Sequence, residues 1–70
     1  MLNLTPREKR VLDTLASGFS EKVAADYLEI TIKNLRDATY HARKRNGIQT
    51  TSRLLFVYRV QKAGYVDVCH

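Results

Sequence analysis

The four residues Thr5-Pro6-Arg7-Glu8 do most to restrict what this chain can fold into. Threonine, then proline, then glutamate three positions on marks the start of a helix. The hydroxyl accepts from a free amide, the proline ring presets φ, and the carboxylate reaches back to the threonine amide. Val11, Leu12, Leu15 and Ala16 then recur at helical spacing, and Gly18 can take the positive φ that ends a helix. The pattern predicts a first helix over about residues 6–16.

The same grammar recurs three times. Ser20 caps a short second segment with Val23, Ala24, Tyr27 and Leu28 on one side, interrupted at Glu29-Ile30. Thr31 caps a third, with Ile32, Leu35, Thr39 and Ala42 pointing inward and Lys33, Arg36, Asp37, Tyr40, Arg43 and Lys44 over the remaining surface, stopped by Asn46-Gly47. Thr50 or Thr51 begins a fourth, containing Leu54, Leu55, Phe56, Val57, Tyr58 and Val60 and closed near Gly64. A strand is the competing reading of residues 54–60, which are rich in β-branched and aromatic side chains. The threonine cap, the length of three turns and the lack of a second apolar run to pair with favour helix. The expectation is an all-α, four-helix bundle: one domain over residues 1–70, with its core over about 4–64 and a short tail.

Seventy residues bury only a small core, so idealised packing or a partner subunit would help such a chain. Twelve Lys and Arg against seven Asp and Glu give a net charge of +5, and the pI is near 9.7. That balance favours a polyanion, without separating nucleic acid from an anionic membrane surface. No apolar run approaches the roughly twenty residues of a membrane span, and the N-terminus lacks the apolar stretch of a signal peptide, so a cytoplasmic location is expected. The single Cys69 has no internal disulfide partner and, with only His41 and His70, no zinc-type spacing; neither a metal nor a cofactor is expected. Ser17, Ser20, Ser52 and the two histidines form no nucleophile-base motif, and no glycine-rich phosphate loop is present, which argues against an enzyme.

The third segment points to DNA. A basic helix carrying Lys33, Arg36, Arg43, Lys44 and Arg45 directly follows a second short helix, and an α-helix is the element that fits the major groove while cations displace counterions from phosphates. Candidate phosphate contacts are Thr5, Lys22, Thr31, Lys33, Asn34, Arg43 and Lys44, of which Lys22 and Thr31 lie near helix N-termini where free amides also favour an anion. Each has a structural alternative, a solvated lysine or a cap required with or without DNA. Arg7 and Glu8 read as an intradomain pair and a capping residue rather than a site. In the fourth segment, one face of Leu54, Val57, Tyr58 and Gln61 and another of Leu55, Phe56 and Val60 exceed what one side of a small core needs; dimerisation would cover the surplus. The alternative is that Phe56 and Tyr58 close the core under the first helix.

Leu4-Thr5-Pro6-Arg7-Glu8-Lys9 through Val11-Leu12, then Gly18-Phe19-Ser20, Ala25, Leu28, Ile30-Thr31 and Gly47-Ile48 together resemble, without a gap, the LuxR-type (GerE-like) helix-turn-helix domain. The resemblance implies a four-helix bundle in which helix two supports helix three, helix three (about 32–46) enters the major groove, and helix four forms a dimer contact. It also implies that Arg36, Asp37 and Tyr40 face base edges. Arg36 has the forked donors that suit guanine O6 and N7. Tyr40 can donate to phosphate, lie against a thymine methyl, or simply pack on its helix. Asp37 can accept from cytosine N4, but phosphates repel it unless Arg36 or Lys33 pairs with it. The chain departs from the family pattern at Glu29, where a turn glycine is usual and a side chain costs on the order of 1 kcal/mol. It departs again at Asn34-Leu35, Ala38 and Arg45-Asn46 in the reading helix. His41-Ala42-Arg43-Lys44-Arg45 also resembles the end of the matching helix in region four of sigma factors.

The expected function is therefore sequence-specific binding of double-stranded DNA by a homodimeric transcription regulator. The alternative is a helix-turn-helix interaction module that binds RNA polymerase or another regulator. Met1 and the tail beyond Gly64 favour a free-standing regulator over an excised effector domain.

Overall fold

A computed structural model describes residues 2–63, so Met1, Gly64, Cys69, His70 and the rest of the tail lie outside the described residues. Four helices follow in order: α1 (Pro6–Ala16), α2 (Glu21–Leu28), α3 (Ile32–Asn46) and α4 (Thr51–Lys62). Among the described residues there is no strand, and residues 54–60 are helical. Each helix starts on an extended Ser or Thr whose hydroxyl accepts from the amide three residues on: Thr5 from Glu8, Ser20 from Val23, Thr31 from Asn34 and Thr50 from Arg53. At α1 the box is complete, since Glu8 Oε1 accepts from the Thr5 amide at 3.0 Å.

Helices α2 and α3 end in the same way. Ile30 N–H donates to Ala25 O at 3.0 Å and Glu29 N–H to Asp26 O at 3.1 Å, while Ile48 N–H donates to Arg43 O at 2.9 Å and Gly47 N–H to Lys44 O at 3.3 Å. Both are Schellman turns, each followed by an isoleucine that packs on the core. The left-handed position is Gly47 in one (φ 66°) and Glu29 in the other (φ 59°).

Helix α1 packs against all three other helices, α3 against α1, α2 and α4, and α2 and α4 are not neighbours. The core accordingly forms two clusters. One joins Val11, Leu15, Ala24, Ala25, Leu35 and Ala38 between α1, α2 and α3. The other joins Leu12, Ala42, Leu54 and Tyr58 between α1, α3 and α4. Leu55 packs against both. The buried hydroxyls of Thr14 and Thr39 donate to Arg10 O and Arg36 O at 2.9 Å, so neither is left unsatisfied.

Three expectations about faces need correction. In α2 the inward residues are Ala24 and Ala25, with Leu28 half-buried, whereas Val23 and Tyr27 are exposed. The face is turned by about one residue, roughly 100° of helix, because two alanines let α2 approach α1 and α3 closely. In α3 Ile32 is exposed, and the inward set is Leu35, Ala38, Thr39 and Ala42, an unbroken i, i+3, i+4, i+7 stripe that starts one turn later. In α4 Leu54 and Tyr58 close the core while Phe56 stays 63% exposed.

Candidate nucleic-acid interface

The inward stripe of α3 fixes its outward one. Lys33, Asn34, Arg36, Asp37, Tyr40, His41 and Lys44 are all exposed, so the three expected base-reading residues share one surface with three of the expected phosphate contacts, Lys33, Asn34 and Lys44. Thr5 joins them from α1, lining with Asn34, Asp37 and His41 a shallow cleft between the start of α1 and the middle of α3. Thr5 and Thr31 already accept in their caps, which leaves each hydroxyl hydrogen free to donate. Lys22 is exposed in the first turn of α2, next to Glu21.

Arg36 is the one base-reading candidate with an ion-pair partner among the described residues. Its Nε and Nη2 both lie 3.2 Å from Glu21 Oε1, a pairing between α2 and α3 in which the Arg36 and Glu21 side chains remain 66% and 42% exposed. Asp37 has no cation within ion-pair distance among the described residues, because its neighbour Arg36 turns to Glu21 instead. Tyr40 sits beneath two cations, with the Arg43 guanidinium and the Lys44 ammonium each 5.7 Å from its ring centroid and His41 edge-on at 5.6 Å. The ring face thus serves its own helix, and its hydroxyl end is what a ligand would meet. Arg43 is half-buried, donates through Nη1 to Gln49 O, and its Nε is buried without a partner, so the α3–α4 turn takes up much of its donor capacity. Lys44 is the freer cation at that end.

Other polar contacts hold the scaffold. Arg45 donates to Glu8 and to Asn3 O, so Glu8 pairs with α3 and not with Arg7. Burial opposes ionisation of Glu8, but the Arg45 guanidinium and the Thr5 amide outweigh it and hold its carboxyl below the usual 4.5. Asn46 clips the N-terminal arm, accepting from Asn3 N at 2.7 Å and donating to Asn3 O at 3.0 Å. Asp13 accepts from Lys62 Nζ and Tyr58 Oη, both at 2.6 Å, and these two donors lower its pKa. Burial first, and then the Asp13 carboxylate, push the Tyr58 phenol up to about 12. Apart from the Thr5–Glu8 box, none of these partners lies at a spacing that sequence periodicity reveals, and the ties of Glu21 to Arg36, Arg45 to Glu8 and Asn46 to Asn3 carry no signal in the sequence for that reason.

The expected dimer face on α4 is reduced. Leu54 and Tyr58 are spent on the protomer's own core, and Gln61 Oε1 accepts from Leu2 N at 2.7 Å. Val57 and Gln61 are half-buried and line, with Leu2, Ile48 and Arg53, an open groove of about 730 Å³. Val23 and Tyr27, one turn apart on α2, are exposed together with Phe19, which precedes the α2 cap and whose ring lies 6.2 Å from that of Tyr27. Among the described residues no group of three or more His, Cys, Asp or Glu could hold a metal, and no helix is long and apolar enough to cross a membrane. No protein-family model, curated protein or solved structure matches the chain.

Proposed function

We propose that this four-helix domain binds double-stranded DNA in a sequence-specific way and regulates transcription, with α3 in the major groove and α2 braced across it. The observation that carries this reading is the outward stripe of α3. Lys33, Arg36, Tyr40 and Lys44 lie on one exposed face, opposite a fully packed one, in a chain of net charge +5. The resemblance to the LuxR-type helix-turn-helix domain supports the same reading, and the Glu29 turn supplies the short connection between α2 and α3 that such a motif needs. On this reading Arg36 addresses a base and Tyr40 a base or phosphate, and Lys22, Lys33, Asn34, Thr5, Thr31 and Lys44 take phosphates, with a smaller share for Arg43. The protein acts in the cytoplasm, and a homodimer forms through the remaining α4 surface around Val57.

The test is selection of binding sites from a random duplex pool near physiological salt. An enriched inverted repeat is expected, because two-fold symmetry presents two copies of α3. Enrichment of no motif, with binding no tighter than to arbitrary DNA, rejects the reading. Val57→Arg tests the dimer, with a fall to monomer mass expected in analytical ultracentrifugation.

A second reading has its own observation. The exposed apolar group of Val23 and Tyr27 on α2 and Phe19 just before it, with the unpaired Asp37 on α3, suits a helix-turn-helix that docks on RNA polymerase or another regulator. A chain that selects no DNA motif yet loses a protein partner on Tyr27→Ser would favour it.

A further inference from the structure

We propose that Glu21 is a specificity-determining residue of this interface, acting by holding the Arg36 fork in an orientation that suits a base edge and not a phosphate. The inference rests on the DNA-binding reading above and names the positioning of its central side chain.

A guanidinium has two edges that can donate in pairs. The side edge is made by Nε and Nη2 and the end edge by Nη1 and Nη2. In this structure Glu21 takes the side edge, with both of its donors 3.2 Å from one carboxylate oxygen. The end edge, two parallel N–H groups directed away from the chain, is left over, and that is the edge that matches guanine O6 and N7. Because Glu21 belongs to the first turn of α2 and Arg36 to the second turn of α3, the fork is fixed relative to two helices rather than swinging on one flexible stem. The second Glu21 oxygen is an acceptor without a protein partner among the described residues.

The charge layout points the same way. Around Arg36 stand two carboxylates, Glu21 paired with it and Asp37 next to it without an ion-pair partner, so the centre of the reading face is not basic. Lys22, Lys33 and Lys44 are exposed around that centre. A phosphate brought to Arg36 would be repelled by Glu21, whereas a base edge, which offers acceptors and donors together, would not. Backbone contacts are thereby confined to the rim and the base contact to the middle. An exposed ion pair of this kind adds little to stability, so Glu21→Gln leaves the fold intact.

The experiment measures dissociation constants of the wild-type chain, Glu21→Gln, Arg36→Ala and the double variant. The probes are the duplex recovered by selection and an arbitrary duplex, over a series of salt concentrations. Glu21→Gln is expected to tighten binding to arbitrary DNA and to steepen the slope of log K against log salt by about 0.9, as the released Arg36 gains one phosphate. The ratio of selected to arbitrary affinity should fall about tenfold, the size of one lost bidentate base contact. In the Arg36→Ala background the same change should leave that ratio unmoved. A ratio unchanged by Glu21→Gln in a chain whose preference does depend on Arg36 overturns the inference alone. An equal effect of Glu21→Gln with and without Arg36 also overturns it. A wild-type chain without preference, or one whose preference survives Arg36→Ala, overturns the base-reading role of α3 and this inference with it.

Discussion

The two halves of the core are held by different means. Between α1, α2 and α3 the contacts are made largely by small side chains, Ala24, Ala25 and Ala38 against Val11, Leu15 and Leu35. There, one exposed ion pair, Glu21–Arg36, is the only polar side-chain tie from α2 to another helix among the described residues. Between α1, α3 and α4 the side chains are larger and polar latches surround them. Asp13 holds Tyr58 and Lys62, Glu8 holds Arg45, Asn46 holds Asn3, and Arg59 reaches Ala16 O. The half that carries the proposed reading surface therefore depends on close approach of backbones, and the other on a network that fixes where the first can stand. Surface chemistry on α2 and on α3 up to Lys44 can vary without disturbing the latches, whose only α3 members, Arg45 and Asn46, stand at the end of that helix.

The largest effect that sharpens this contrast comes from the cores themselves. Leu54→Ala and Leu35→Ala, each removing a side chain of 0% exposure, should cost about 2–5 kcal/mol, read from urea midpoints. If the latches brace their half against collapse, Leu54→Ala should lie at the upper end of that range and Leu35→Ala, bordered by movable small residues, at the lower. Equal losses would break the comparison.

The latch at Glu8 gives the next effect, and it depends on pH. Because the folded-state pKa of Glu8 is held down, the stability it confers is fully present above the unfolded-state value and is lost as pH falls through the folded one. Glu8→Ala should therefore cost about 1–3 kcal/mol at neutral pH and progressively less below about pH 4, as the wild-type carboxyl protonates. Asp13→Asn should flatten the acid limb in the same direction, since Lys62 and Tyr58 lower that pKa too. Thermal unfolding at stepped pH checks both, and a cost that persisted unchanged to pH 2 would remove the electrostatic part of the argument.

The smallest effects come from the two matching turns. Gly47→Ala puts a side chain at φ 66° and should destabilise by about 1 kcal/mol, whereas Glu29→Gly relieves one at φ 59° and should stabilise by about 0.5 kcal/mol, less because glycine loses more freedom on folding. Calorimetry of the two variants should show melting temperatures displaced in opposite directions. Shifts of the same sign would mean that the turns are not equivalent.

Much of this was legible in the chain, for identifiable reasons. Three helix starts follow from Thr5, Ser20 and Thr31, and the fourth is narrowed to Thr50 or Thr51, of which Thr50 is the cap, because capping is a local interaction decided within four residues. The inward faces of α1 and most of α3 follow from leucine and alanine spacing. Helix α2 was misread because Val23 and Tyr27 are the more apolar residues, whereas close packing selected the smaller Ala24 and Ala25. Of the site, the exposure of Lys33, Arg36, Asp37, Tyr40 and Lys44 was legible as the complement of the buried stripe. The hold of Glu21 on Arg36 was not, since the two are fifteen residues apart and on different helices, and no periodicity links them. Arg43 turned toward Gln49 and Tyr58 toward Asp13 for the same kind of reason, a partner that only the tertiary arrangement supplies.

Leu55 gives the two halves a common fate. Its side chain is the one half-buried residue of α4 that packs against both clusters. Close-packed interiors leave no free space to absorb a displacement, so a tilt of α2 that shifts the first cluster must press on Leu55. The fourth helix thereby shares a packing boundary with a helix it never meets.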